Sequence, residues 1–175
     1  MIYTVTMNPS LDYLLSLPAL QAGETNRSAA ERLVAGGKGI NVSKMLYNLG
    51  TDSIIWGFAG GFSGEELCRQ LTAAGLRQEL IFLHNGNTRI NVKLSAGQET
   101  EVNAKGPQAE EEALQIFYRR LEALTAEDYV VLSGSLLPGM PCNSYRQIMQ
   151  QLQGRGVHFI VDTTGESLRE TLPLH

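Results

Sequence analysis

The sequence predicts an α/β fold with a largely parallel sheet flanked by helices and a small β lid projecting from it. Three observations carry the prediction. Short β-branched or apolar runs recur along the chain, each bounded by glycine or polar turns. Stretches with helical periodicity fall between them, which suits parallel neighbours that need crossovers and helices on both faces. One segment, residues 89–103, alternates apolar and polar residues and reads as a hairpin with one wet face.

Taken in order, residues 2–7 read as the first strand. Residues 13–34 have a mixed pattern that could add a strand to the lid. Val42, Met45, Leu46 and Leu49 repeat at i, i+3, i+4 and i+7, with Gly50 as a C-terminal stop. A strand follows at 53–58, then a helix entered through a Ser63/Glu66 capping box and stopped at Gly75. Strands are expected at 80–83 and 89–95, the latter turning at Ala96-Gly97. Leu114, Phe117, Leu121 and Leu124 mark another helix, 129–133 a strand, and Tyr145, Ile148, Met149 and Leu152 a helix entered after Asn143 and stopped at Gly154. The strand 158–162 and a helical stretch at 166–172 complete the pattern. The chain is thus one α/β unit, with lid segments of about 13–34 and 88–105 inserted in it.

A chain of 175 residues can bury a full core. Its 14 Lys plus Arg against 18 Asp plus Glu leave a net charge of −4, which offers no broad basic surface to a nucleic acid. Asp12 interrupts the apolar N-terminal stretch, and no later run approaches the roughly 18 apolar residues of a membrane helix. No membrane partner and a cytoplasmic location are therefore expected. Cys68 and Cys142 stand apart and read as two small core thiols in a reducing compartment. Trp56 and the other aromatics read as core. His84, His158 and His175 have no ligand spacing, and no metal site is expected.

Several groups carry chemistry. The run Ala35-Gly36-Gly37-Lys38-Gly39-Ile40-Asn41 feeds directly into an amphipathic helix. Glycines admit a ligand close to the backbone, free N–H groups at a helix start favour an anion, and Lys38 adds a mobile charge. The spacing is neither a Walker A loop nor a dinucleotide fingerprint, and a tight loop with an exposed lysine is the competing reading. Asp12 follows the first strand, where a carboxylate can accept hydrogen bonds from sugar hydroxyls or simply close an Asx turn. On the lid, Arg89, Asn91 and Lys93 share one face of a strand, with Glu101, Asn103 and Lys105 beyond. That face is either solvated or closes over a phosphorylated ligand gripped by Arg89. Ser133-Gly134-Ser135 and Asp162-Thr163-Thr164 put small polar groups at two further strand ends.

Taken together, TMNPSLD at 6–12, AGGKGINVS at 35–43, GFAGGFSGE at 57–65, TRINVKL at 88–94, ETEVNAKGP at 99–107, LSGSLLPG at 132–139 and VDTTGESL at 161–168 resemble the ribokinase-like (PfkB-type) sugar kinases. The likeness is greatest to members that act on fructose 1-phosphate, and next to those that act on tagatose 6-phosphate. It implies a ribokinase-like fold and an ATP-dependent, Mg2+-assisted phosphorylation of a sugar phosphate, giving fructose 1,6-bisphosphate from the former. It also implies sugar contacts from Asp12, Gly36, Gly37, Asn41 and Asn103. Lys38 and Arg89 are implied to contact the phosphate already on the substrate, Gly134 and Ser135 to line the pocket, and the lids to pair in a homodimer.

One departure from the family is a leucine, Leu137, where a proline or other turn residue is frequent. The family's Gly-Ala-Gly-Asp motif, which supplies the catalytic aspartate base, is not among these residues, and neither are the main ATP-binding segments. The expectation is that 1–175 form the N-terminal part of a longer kinase, with the C-terminal part of the fold absent and no catalysis by the chain alone. A catalytically inactive sugar-phosphate-binding module is the alternative.

Overall fold

The computed structural model describes residues 1–174. His175 lies outside the described residues. Nine strands and five helices follow in the order β1 (Ile2–Thr6), β2 (Ser10–Ser16), β3 (Ala30–Gly36), α1 (Lys38–Asn48), β4 (Ile54–Gly60), α2 (Gly61–Ala73), β5 (Arg77–Leu83), β6 (Arg89–Ser95), β7 (Glu99–Val102), α3 (Glu111–Leu121), β8 (Tyr129–Ser133), α4 (Ser144–Gln151), β9 (His158–Asp162) and α5 (Gly165–Thr171). A 3-10 turn, Leu172–Leu174, ends the described chain.

The main sheet has five parallel strands in the order β5-β4-β1-β8-β9. Its inner strands β4, β1 and β8 bury side chains on both faces, as parallel strands covered by helices do, while the edge strands leave Phe82 of β5 and Ile160 of β9 exposed. In β4, which is buried throughout, Ile54, Trp56 and Phe58 point into a core with α3 and α4, represented by Phe117, Leu121, Tyr145 and Ile148. Ile55 points the other way, into a cluster with Ile40 of α1 and Leu67 and Leu71 of α2. Trp56 packs against Tyr3 and edge-on against Phe117.

After β1 the chain builds outward through β4 and β5, then returns to the other side of β1 for β8 and β9. That reversal opens a crevice between β1 and β8 at the carboxyl ends of the strands, the place where open α/β sheets receive ligands.

A second sheet has the order β3-β2-β6-β7. Residues 89–102 do form the expected hairpin, and the segment after β1 supplies two strands, β2 and β3. The register aligns Ser10, Gly36 and Arg89 across three strands, then Asp12, Val34 and Asn91, then Leu14, Arg32 and Lys93. One face therefore carries Ser10, Asp12, Arg89, Asn91 and Lys93, while Leu11 and Ile90 on the other face pack against the α1/α2 cluster.

Several local expectations are corrected. Ser63 lies within α2 and donates to the Thr88 carbonyl at 2.7 Å; the helix starts after Gly60 with no side-chain cap. A long-range partner thus replaces the local capping pair. α4 does begin directly after Asn143, as expected, although the Asn143 side chain makes no capping bond. Cys68 is half-buried and Cys142 is exposed, since the latter falls in the turn before α4. Tyr47, Phe62, Phe82 and Tyr129 are exposed, so the aromatics are not uniformly core.

Candidate functional site

The strand ends meet at a pocket of about 250 Å3 lined by Thr6, Asn8, Gly37, Lys38, Arg89, Gly134, Ser135, Thr163 and Thr164. It occupies the crevice beyond β1, β8 and β9. A larger depression, about 590 Å3 beside β9, is lined by Met149, Leu152, Phe159, Leu174 and neighbours, with no charged group among the described residues. Chemistry therefore separates the two better than size does, because orientation of a polar ligand needs convergent polar groups.

Two cations face the smaller pocket, one from the lid sheet and one from the start of α1. Arg89 enters from the lid, where its Nε donates to the Asn8 carbonyl at 3.2 Å and its Nη1 to the Ala104 carbonyl at 3.4 Å. Of the five N–H donors on a guanidinium, these use two. Burial pushes Arg89 below its usual pKa, and Asp12 pulls the other way; an arginine stays charged under both influences. Lys38 opens α1, and its Nζ lies 3.0 Å from Asp162 Oδ1. Both partners of that pair are about half exposed, so the pair contributes on the order of 0–1 kcal/mol, and Lys38 can exchange Asp162 for a stronger anion.

The pocket wall is built by long-range bonds. Asn8 Nδ2 donates to the carbonyls of Lys105 and Leu136, tying the end of β1 to the loops after β7 and β8. Tyr145 Oη donates to the carbonyls of Ser133 and Gly134 at 3.2 Å each, and Thr163 Oγ1 donates to Gly134 at 3.0 Å. Burial beneath this turn holds the Tyr145 hydroxyl far above its usual pKa. Thr6 Oγ1, Asn8 Oδ1 and Ser133 Oγ are buried around the same crevice without a hydrogen-bond partner. Polar atoms are rarely left that way.

Beside the pocket, Asp12 forms the centre of a second cluster. Its Oδ1 accepts from Ser10 Oγ at 2.8 Å and from Asn91 Nδ2 at 2.9 Å, and its Oδ2 lies 3.4 Å from Lys93 Nζ. Burial works against the Lys93 charge, but Asp12 and Glu101 outweigh it and hold the ammonium above its usual pKa. Gly36 closes over this cluster so tightly that a Cβ there would lie 2.7 Å from Ser10 Oγ and 2.8 Å from Asp12 Cγ. A side chain there would displace the Asp12 carboxylate and the Ser10 hydroxyl.

Of the residues singled out in the sequence, Gly37, Lys38, Arg89, Gly134 and Ser135 line one pocket. Asp12 and Gly36 form the adjoining cluster. Asn41 and Asn103 are exposed and do not line the pocket, Asn103 bonding only Glu101 two residues away. Thr163 and Thr164, read from the sequence as small polar groups at a strand end, also line it, whereas Thr6 and Asn8 were not singled out individually. The signal available for them was a polar residue at the end of an apolar strand. The polar face of β6 is not solvated throughout: Asn91 is 6% exposed because Asp12 and the Ala104 amide enclose it.

Comparison with known proteins matches residues 5–174 to the pfkB family carbohydrate kinases. This chain belongs to that family. Among pfkB relatives, the 1-phosphofructokinase of Bacillus subtilis is 39% identical over 96% of this chain, and that of Borreliella burgdorferi is 38% identical over all of it. The phosphofructokinase-2 of Escherichia coli in complex with fructose-6-phosphate superposes with a TM-score of 0.92 at 28% identity, over 99% of this chain and 58% of that one. The chain spans 55% and 57% of the length of the two 1-phosphofructokinases. The pfkB fold accounts for the parallel sheet with flanking helices, and the 14% identical ribokinase of Giardia lamblia shares it with a TM-score of 0.75.

Proposed function

We propose that this chain is the substrate-binding part of an ATP-dependent sugar-phosphate kinase whose substrate is fructose 1-phosphate. The observation that carries the reading is the convergence of Lys38 and Arg89 on one pocket, next to a carboxylate-amide-hydroxyl cluster centred on Asp12. A phosphate dianion suits the two cations and the unbonded N–H groups at the start of α1, while sugar hydroxyls suit Asp12, Asn91 and Ser10. The two relatives named 1-phosphofructokinase support the choice of sugar phosphate. Tagatose 6-phosphate is the competing substrate.

In this reading Arg89 and Lys38 hold the phosphate, Asp12 orients the sugar with Gly36 and Gly37, and Gly134 and Ser135 bound the pocket. Asn41, on the exposed side of α1, and Asn103, just after β7, stand outside the pocket and are assigned no contact. ATP is the donor the family implies. Mg2+ would assist the transferring phosphate, but among the described residues no cluster of three or more His, Cys, Asp and Glu fits a metal ion, and no step is assigned to one. Phosphoryl transfer rests on positioning and electrostatic stabilisation around the γ-phosphate, and the family's Gly-Ala-Gly-Asp motif is not among these 175 residues. The chain therefore binds sugar phosphate without transferring phosphate to it. A cytoplasmic location fits this reading; no helix among the described residues is long and apolar enough to cross a membrane.

Isothermal titration of the purified chain tests the reading. Fructose 1-phosphate should bind more tightly than tagatose 6-phosphate, and both far more tightly than fructose. Equal binding of fructose and its phosphate would remove the assigned roles of Lys38 and Arg89.

A further inference from the structure

β3 is an outer strand of the lid sheet, and its free edge runs past α1 and α2. Ala35 sits opposite Leu11 of β2, yet both of its backbone groups bond to helices. Its N–H donates to Gln70 Oε1 on α2 at 2.7 Å, and its carbonyl accepts from Lys44 Nζ on α1. Gln70 Nε2 also donates to the Leu33 carbonyl at 3.1 Å. The carboxamide thus accepts from one residue and donates to another two positions earlier, as the C=O and N–H of a single residue on a parallel neighbour would. Because Nε2 faces only acceptors and Oε1 faces an N–H, the network itself decides the orientation of the amide.

Ala35 is 6% exposed, so water cannot readily replace either partner. Gln70 is steadied in turn by Glu66 Oε1 at 2.8 Å, and Glu66 is gripped by Arg69 through two bonds. Lys44 is half-buried; burial lowers its pKa, with Asp12 partly opposing. The residue clamped in this way immediately precedes Gly36, Gly37 and Lys38.

We propose that Lys44 and Gln70 are positioning residues that clamp the root of β3 between the two helices and so set where the glycine loop stands at the pocket. The effect on ligand rests on the sugar-phosphate reading above; the clamp itself does not.

Hydrogen exchange across residues 33–39 and titration with fructose 1-phosphate test the proposal together, using Gln70→Leu, Gln70→Glu, Lys44→Met and Lys44→Arg. Gln70→Glu keeps an acceptor for Ala35 but loses the donor to Leu33. Gln70→Leu and Lys44→Met should each speed exchange in 33–39 by roughly tenfold or more while leaving β5 unchanged. Both should weaken fructose 1-phosphate binding about 5–20-fold, with Gln70→Glu between Gln70→Leu and the parent chain and Lys44→Arg near the parent. Unchanged exchange in the variants that fold overturns the clamp, and faster exchange with unaltered affinity overturns the positioning role. A parent chain that does not bind fructose 1-phosphate sinks the sugar-phosphate reading instead, and exchange alone then decides the clamp.

Discussion

At the scale of single residues, the site depends on groups that have already found partners. Arg89 is held by two carbonyls before any ligand arrives, so its remaining donors are presented at little further entropic cost. Hydrogen bonds to charged groups contribute roughly 1.5–3 kcal/mol, so Arg89→Ala should weaken fructose 1-phosphate binding on the order of 10–100-fold. Titration calorimetry should show little change for unphosphorylated fructose. Glu66 offers a pH test. Bonds from Arg69 and then Gln70 pull its carboxyl down to about 2. A carboxyl depressed on folding contributes stability that is fully present above its ordinary value near 4.5 and is lost progressively as pH falls from there through about 2. Carbon-detected NMR should therefore show Glu66 ionised through the mildly acidic range, and Arg69→Ala should return its midpoint towards the ordinary value.

At the scale of elements, the junction of β1 and β4 controls how the strand ends are presented. Gly57 pairs with Thr6, and a Cβ at Gly57 would lie 2.0 Å from the Thr6 carbonyl oxygen. The obstacle is backbone rather than a movable side chain. Gly57→Ala should thus cost about 3 kcal/mol or more, a fall in Tm of roughly 6–12 °C. Trp56, the sole tryptophan, is adjacent and makes fluorescence a suitable probe. Element boundaries also show what was legible in the sequence. The β6–β7 hairpin and the helix α1 are local signals, and both are present, but α1 buries Gly39, Ile40 and Ser43 and leaves Met45 and Leu49 of the periodic apolar set exposed. Ser63 was misread because its partner, Thr88, is 25 residues away. Cys142 was misread because hydrophobicity alone does not say whether a turn faces inward.

At the scale of the whole molecule, the lid sheet raises the question of assembly. Its pocket-side face continues beyond Lys93 into a depression of about 370 Å3 lined in part by Leu14, Ala30, Arg32 and Glu99. Edge strands and half-apolar faces need cover, and we propose that a second copy supplies it, giving a homodimer through the lid. Sedimentation should show a dimer that Leu14→Arg converts to monomer. A parent chain that sediments as a monomer across micromolar concentrations would count against it. A phosphofructokinase-2 of Escherichia coli has been described in a tetrameric inhibited form, so higher association is the other outcome to look for.

By itself the sequence determined the alternation of strands and helices, the hairpin, the glycine loop and the residue types suited to a phosphorylated sugar, because each is written in neighbouring residues. Tertiary structure decided which of those residues meet. Thr6, Asn8, Lys38, Arg89 and Thr163 converge only because β1, β8 and β9 end at one crevice and the lid folds over it. Asn41 and Asn103 carry equally suitable amides and stand outside that pocket. The physical reason is that backbone periodicity is a local property, whereas a site is made by strand order and register across the sheets.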